Sequence, residues 1–253
     1  DSKYKTSQVF DITKMAMYVA LCDLFQGQHA LHNSNLIFYY NPDTFLLEPI
    51  SFESNSMDNR FDLAIETSKK NNAQNLLKKI FEDEVFVLEY VKFLKKFSKK
   101  EYLEQFLSKI KLELENKFNF INLEYFYNTK NQKKIFFNQK FLKASINPIK
   151  GINAILKKIK ERNLILLLGS VQYFPIELKY IIIDGKKIPL NIDVLEGIDD
   201  TGKVSYKEFS INIPENVPLN ENYEKRIEIA YKLIGLEKIY REKVNFKNYI
   251  TID

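Results

Sequence analysis

A chain of 253 residues with 45% hydrophobic and 14% aromatic content is long enough for one large domain or two ordinary ones, and carries the apolar material for real cores. Its net charge of +5 is the small difference between 38 basic and 33 acidic residues interspersed along the chain, which gives no ground for a nucleic-acid partner. No apolar run approaches the ~20 residues that span a bilayer, the opening Asp-Ser-Lys-Tyr-Lys lacks the order of a signal peptide, and the lone cysteine, Cys22, excludes an internal disulfide.

Taken in chain order, the first element is a helix over Thr13–Phe25. Met15, Met17, Tyr18, Leu21, Cys22, Leu24 and Phe25 recur at helical spacing behind Asp11, a side chain suited to capping. Within that run Cys22 reads as a small buried hydrophobe rather than a nucleophile. The helix ends near Gly27. After the polar stretch Gln28–Asn35, the β-prone run Leu36–Tyr40, the turn Asn41-Pro42-Asp43 and the run Phe45–Ile50 predict two short strands joined by a turn.

Residues 55–75 are polar and Asn-rich and predict a loop with a short helix near Phe61–Ile65. Apolar residues then return at helical spacing, from Leu76, Leu77, Ile80 and Phe81 through Val85, Leu88, Val91, Leu94 and Phe97. With Ser98 as a cap, the pattern continues through Tyr102, Phe106, Ile110 and Leu114, so two or three amphipathic helices are expected. Lys95, Lys96, Lys99, Lys100, Lys109 and Lys111 read as their solvated face.

Past Pro148 a short helix is expected over Ile152–Lys160, and there the character changes. Leu164–Leu168, Glu177–Ile183, Val204–Ile213, Arg226–Leu233 and Lys238–Val244 are short apolar or alternating runs separated by turn signals such as Asp184-Gly185, which predicts an antiparallel sandwich. The Tyr- and Phe-rich strands, with Tyr173, Phe174, Tyr180, Tyr206 and Phe209, suit a sandwich core or a protein interface. The expected class is α+β: a mainly helical part with a β-hairpin over residues 1–160, then a β-sandwich-like domain over residues 161–253.

The densest polar constellation is Gln26–Asn35, followed after the strand pair by Ser51-Phe52-Glu53-Ser54-Asn55; both histidines of the protein lie in it. A hairpin places the loop before its first strand and the loop after its second at one end, which brings His29, His32 and Asn35 near Glu53 and Asn55. Two readings of that cluster stand side by side. Imidazole, amide oxygen and carboxylate could hold a divalent metal, with oxygen suiting magnesium and imidazole suiting zinc, or the same side chains satisfy loop backbone groups. His-x-x-His alone lacks the glutamate and the i, i+4 spacing of a helical zinc protease site.

Three stretches, Asp11–Gly27, His32-Asn-Ser-Asn35-Leu-Ile-Phe-Tyr-Tyr-Asn-Pro-Asp-Thr and Leu47-Glu-Pro-Ile50-Ser-Phe-Glu53, together resemble the signature of CotH-type spore-coat kinases. In that family a helix ends in a loop bearing a catalytic Asp, an Asn opens a strand, and acidic residues closing a second strand bind magnesium. Phe141–Pro148 and Ser170-Val-Gln-Tyr-Phe-Pro175 are similar to later parts of long bacterial relatives, including an appended β domain. The resemblance gives Asn35, Glu53 and Asn55 the metal positions. It gives His29 the catalytic place, because the loop Gln26–Asn33 contains no Asp, and Asn55 in place of an acid halves the site's negative charge.

The resemblance therefore implies a surface or extracytoplasmic protein that is a degenerate kinase with a structural or binding role; the alternative is an active atypical kinase using ATP and Mg2+ on surface or envelope proteins. It also implies that the nucleotide-binding lobe lies N-terminal to Thr13, in a missing part of the same protein or in another subunit, because only a short arm precedes that helix. No glycine-rich phosphate loop occurs; the seven glycines are scattered singly. Independently of the family, the residues suit a scaffold whose β domain mediates assembly at the cell surface; glycan binding would need aromatics exposed on one sheet face beside polar groups, and nothing in the sequence selects such residues.

Overall fold

The computed structural model describes residues 4–54, 62–70, 76–123, 132–190, 194–199, 201–219 and 222–246. The fold is α+β and divides into two units, Asp1–Asn147 and Pro148–Asp253. The division precedes Ile152–Lys160 instead of following it, because that segment is a strand of the second unit and not the expected helix.

The first unit holds α1 (Thr6–Val9), α2 (Ile12–Phe25), the hairpin β1 (Ile37–Asn41) and β2 (Leu46–Ile50), then α3 (Ala64–Lys70), α4 (Leu76–Phe81), α5 (Glu84–Phe97), α6 (Lys100–Asn122) and α7 (Gln132–Ser145). Asp11 caps α2 as expected, its carboxylate accepting from the Lys14 N–H at 3.0 Å. α2 is apolar nearly all round and is correspondingly central: Met15, Ala16, Val19, Ala20 and Leu24 are fully buried against α5 and α7. α5 supplies Phe86, Tyr90, Val91 and Leu94 to the same core. Ser98 closes α5, its hydroxyl donating to Lys95 O, and Lys99 takes the N-cap position of α6 in its place.

Two amide side chains on α7 reach back to satisfy helix ends. Asn138 Nδ2 donates to Leu24 O at 2.9 Å, and Gln139 Nε2 donates to both Phe97 O and Lys99 O at 2.8 Å. The long helix α6 is different, burying only Leu103 completely; the six lysines expected on the solvated face of α5 and α6 are all exposed.

The second unit contains β3 (Ile152–Lys160), β4 (Asn163–Ser170), β5 (Ile176–Ile183), β6 (Lys186–Pro189), β7 (Val194–Leu195), β8 (Lys207–Asn212), β9 (Ile227–Leu233), β10 (Tyr240–Lys243) and β11 (Asn245–Phe246). A five-stranded sheet runs β10-β9-β5-β6, with β7 also paired to β5, and a four-stranded sheet runs β11-β3-β4-β8. All pairings are antiparallel among the described strands except β11 with β3. Alternation decides which face is inside: Ile152, Ala154 and Leu156 with Leu164, Leu166 and Leu168 on one sheet, Ile181, Ile183, Ile227 and Ile229 on the other, are buried.

Tyr231 ties the unit together, its hydroxyl accepting from the Gly151 N–H at 2.7 Å. A Cβ at position 151 would fall 2.3 Å from the Tyr231 ring, so only glycine lets the backbone approach it. Of the aromatics expected in the core, Phe174 is buried, whereas Tyr206 is exposed and accepts from Asn153 Nδ2 at 3.1 Å. No helix among the described residues is long and apolar enough to cross a membrane.

Candidate functional site

The loop carrying both histidines is set by how α2 ends. Gln26 adopts the left-handed conformation (φ 57°), Gly27 N–H returns to Cys22 O at 2.7 Å and Gln26 N–H to Asp23 O at 3.4 Å, the double bond of a Schellman stop. A single 3-10 turn, Gln28–Leu31, follows and buries Ala30 and Leu31, which leaves the His29 ring half-exposed.

The hairpin register, Ile37 opposite Ile50 through Asn41 opposite Leu46, returns the chain to the same end. Gly27 lies against that return: a Cβ there would meet Ser54 O at 3.3 Å. Glu53 takes a left-handed backbone (φ 48°), and its Oε2 lies 2.8 Å from His29 Nε2. The His32 ring is 5.9 Å from the His29 ring, centroid to centroid. His29, His32, Asn35 and Glu53 are thus gathered as the hairpin topology requires. Asn55 lies outside the described residues.

What Asn35 does there is local. Its Nδ2 donates to His29 O at 2.9 Å and its Oδ1 accepts from Ser34 Oγ at 3.2 Å, and the residue is buried. The amide therefore clamps the histidine turn to the start of β1, the arrangement expected of a loop amide satisfying backbone. Asn33 plays a similar part, its Oδ1 accepting from the N–H of Leu76 at the start of α4. Asn35 and Glu53, which the resemblance places on one metal, are each engaged with a partner of their own. Among the described residues no three His, Cys, Asp or Glu side chains converge as a metal-holding group. Of the positions given to the metal, the described residues supply one carboxylate, Glu53, and one amide already bonded within its own loop, Asn35.

The residue that sequence reasoning passed over is Asp23. It is wholly buried near the end of α2 and accepts three hydrogen bonds: Tyr90 Oη at 2.5 Å, Ala64 N–H at 2.8 Å and Gln28 Nε2 at 3.4 Å. Gln28 Nε2 also donates to Asp62 O at 3.3 Å, so this network anchors the histidine turn from below. Burial pushes the Asp23 carboxyl up to about 7 against the pull of its three donors, and pushes Tyr90 well above the usual phenol range. Burial, then the neighbouring Asp23 charge, raises Cys22 to about 12, which leaves the thiol inert as expected. Only the contacts of Asp23, with residues 41 and 67 positions away, reveal its role.

Beside the loop, the hairpin is pinned to the start of α2 at three points. Phe38 meets Phe10 with ring centroids 5.0 Å apart, Asp11 N–H donates to Leu47 O, and Lys14 Nζ reaches Glu48 Oε1 at 2.6 Å. Asn41 Nδ2 donates to the same carboxylate, and this bond, then that from Lys14, holds Glu48 below the usual carboxylate range. Around these contacts Ile37, Tyr39 and Ile50, on the face that carries Glu48, and Tyr40, on the opposite face, remain in solvent, with Phe45, 72% exposed, at the tip and Phe52 at the base.

Chemically, the His29–Glu53 pair sets a ring nitrogen and a carboxylate oxygen within hydrogen-bond reach of each other, the arrangement in which a carboxylate orients a histidine for proton transfer. Comparison with known proteins returns no match: no family model, no curated protein and no solved structure matches this chain.

Proposed function

We propose that this chain is part of a CotH-like surface protein whose kinase-related site is degenerate and whose role is structural or binding. The reading rests on the resemblance between residues 11 and 53, and one observation carries its degenerate form. At the positions the family gives to metal and catalysis, Asn35 is spent on its own loop and Glu53 is spent on His29. Phosphoryl transfer needs carboxylates free to neutralise phosphate through a metal. The exposed aromatic side chains of the hairpin, Tyr39, Tyr40 and Phe45, supply what a protein-binding role uses, large side chains presented on a strand pair.

A second reading, an active kinase completed by a further lobe, is favoured by the His29–Glu53 contact alone, a base oriented by a carboxylate. Calorimetric titration of Mg2+ and ATP into the longest native form, beside an Asn35→Ala, Glu53→Ala variant, separates the two. The degenerate reading expects no magnesium-dependent component that the variant removes. Micromolar magnesium-dependent binding lost in the variant would overturn it in favour of the active kinase.

A further inference from the structure

We propose that the outer face of the five-stranded sheet, beside the β5–β6 turn, is a binding site for a compact multivalent oxyanion, a ligand bearing two or three phosphate groups. The site lies wholly in the second unit and is independent of the His29–Glu53 loop pair.

Strand register builds it. Lys243 on β10 is opposite Glu228 on β9, Glu228 is opposite Ile182 on β5, and Ile182 is opposite Lys187 on β6, so the four side chains form one row across the sheet. The flanking Ile181, Ile183, Ile227 and Ile229 fill the core, which fixes this row as the outer one. Two residues along each strand, Arg241 and Tyr180 lie on the same face, and Lys187 Nζ sits 4.9 Å above the Tyr180 ring. At the sheet end, buried Asp184 holds Arg226 through Nε at 2.6 Å, and Lys225 adjoins it.

The resulting cleft of about 450 Å³ is lined by five cationic side chains, Lys187, Lys225, Arg226, Arg241 and Lys243, and by two carboxylates, Asp184 and Glu228. Asp184 is engaged by Arg226, and among the described residues no carboxylate pairs with Lys187, Lys225, Arg241 or Lys243. Elsewhere on the same sheet the opposite holds: Lys179 and Lys232 both pair with Glu177, at 2.7 and 3.1 Å. Arg241 and Lys243, two residues apart on one face of β10, repel one another, and an oxyanion accepting from them and from the other cations of the cleft relieves that repulsion and makes charge-assisted bonds. Two of the five are arginines, whose planar forks match phosphate oxygens. The turn at the rim is open, since a Cβ on Gly185 (φ 80°) would meet nothing within 4 Å, and a cleft of about 450 Å³ matches a compact ligand.

The test is calorimetric titration of inorganic tripolyphosphate into the full chain at low salt. Binding is expected, with affinity falling as salt rises and about tenfold or more weaker in an Arg241→Ala, Lys243→Ala variant, which removes two charge-assisted partners. Both residues are exposed on the sheet, so circular dichroism should show an unchanged fold. Glu228→Gln, which deletes the one carboxylate in the central row, should tighten binding a few-fold. A Lys109→Ala, Lys111→Ala variant on α6 removes equal charge from an ordinary lysine face and should bind as the parent does. Absence of binding, equal weakening by the α6 variant, or indifference to both Arg241→Ala, Lys243→Ala and Glu228→Gln would overturn the assignment.

Discussion

In the helical unit, the polar side chains around the two histidines are bonded to the unit's own backbone and to one another. On the outer sheet face of the second unit, four cations stand without a carboxylate among the described residues. The two places look similarly polar in sequence, yet they differ in what is left over. A side chain whose bonds are all made inside the fold holds the fold; one held in place with its charge unmet is available to a ligand.

The largest effect expected from breaking this contrast is at Asp23. Asp23→Ala should destabilise the protein by about 3 kcal/mol or more, because Ala64 N–H and Tyr90 Oη lose a buried acceptor; urea denaturation measures it. Asp23→Asn keeps the Oδ1 acceptor and offers an N–H toward Tyr90, so its cost should be small, and its pH dependence separates it from the parent. The folded-state value of Asp23, about 7, lies above its ordinary 3.8, so the folded form holds its proton more tightly. That stabilisation is present at low pH and is lost as pH climbs from about 4 through about 7. The asparagine variant should lack this decline, and a parallel slope in both proteins would show that Asp23 is not its source.

Arg162 gives the corresponding test in the second unit. Its Nε donates to Ile213 O at 3.1 Å and its Nη2 to Pro214 O and Val217 O at 2.6 and 2.5 Å, which fastens the loop after β8 to the β3–β4 turn. Arg162→Ala should cost about 2 kcal/mol, and lysine should recover only part of it, since three carbonyls need the forked donor. Smallest of all, Glu53→Gln should change stability by less than about 0.5 kcal/mol, because both partners of the His29–Glu53 pair are half-exposed. A loss as large as that at Asp23 would mean the pair is structural after all.

Much of the first unit is legible in sequence where the chemistry is local. The Asp11 cap, the helical spacing from Met15 to Phe25 and the Asn41-Pro42-Asp43 turn act over a few residues, and each specifies its element directly. The convergence of His29, His32, Asn35 and Glu53 also follows, because a hairpin returns its ends together whatever its side chains. β3 misleads for a physical reason: a register shift between Leu156 and Lys158 breaks the alternation, and the apolar residues Ile152, Ile155, Leu156 and Ile159 then fall at helical spacing. Asp23 and the cationic cleft are illegible because their partners are remote. Lys187 and Lys243 meet on one row only through three strand pairings, and no window along the chain contains both.

The most direct test of the contrast between the two units is one titration of Mg·ATP, whose triphosphate is itself a compact multivalent anion. It is run on the full chain, on Asn35→Ala, Glu53→Ala, and on Arg241→Ala, Lys243→Ala. The expected result is binding that does not require magnesium, is unchanged in the loop variant and is about tenfold weaker in the sheet variant. Magnesium-dependent binding abolished by the loop variant and untouched by the sheet variant would contradict it.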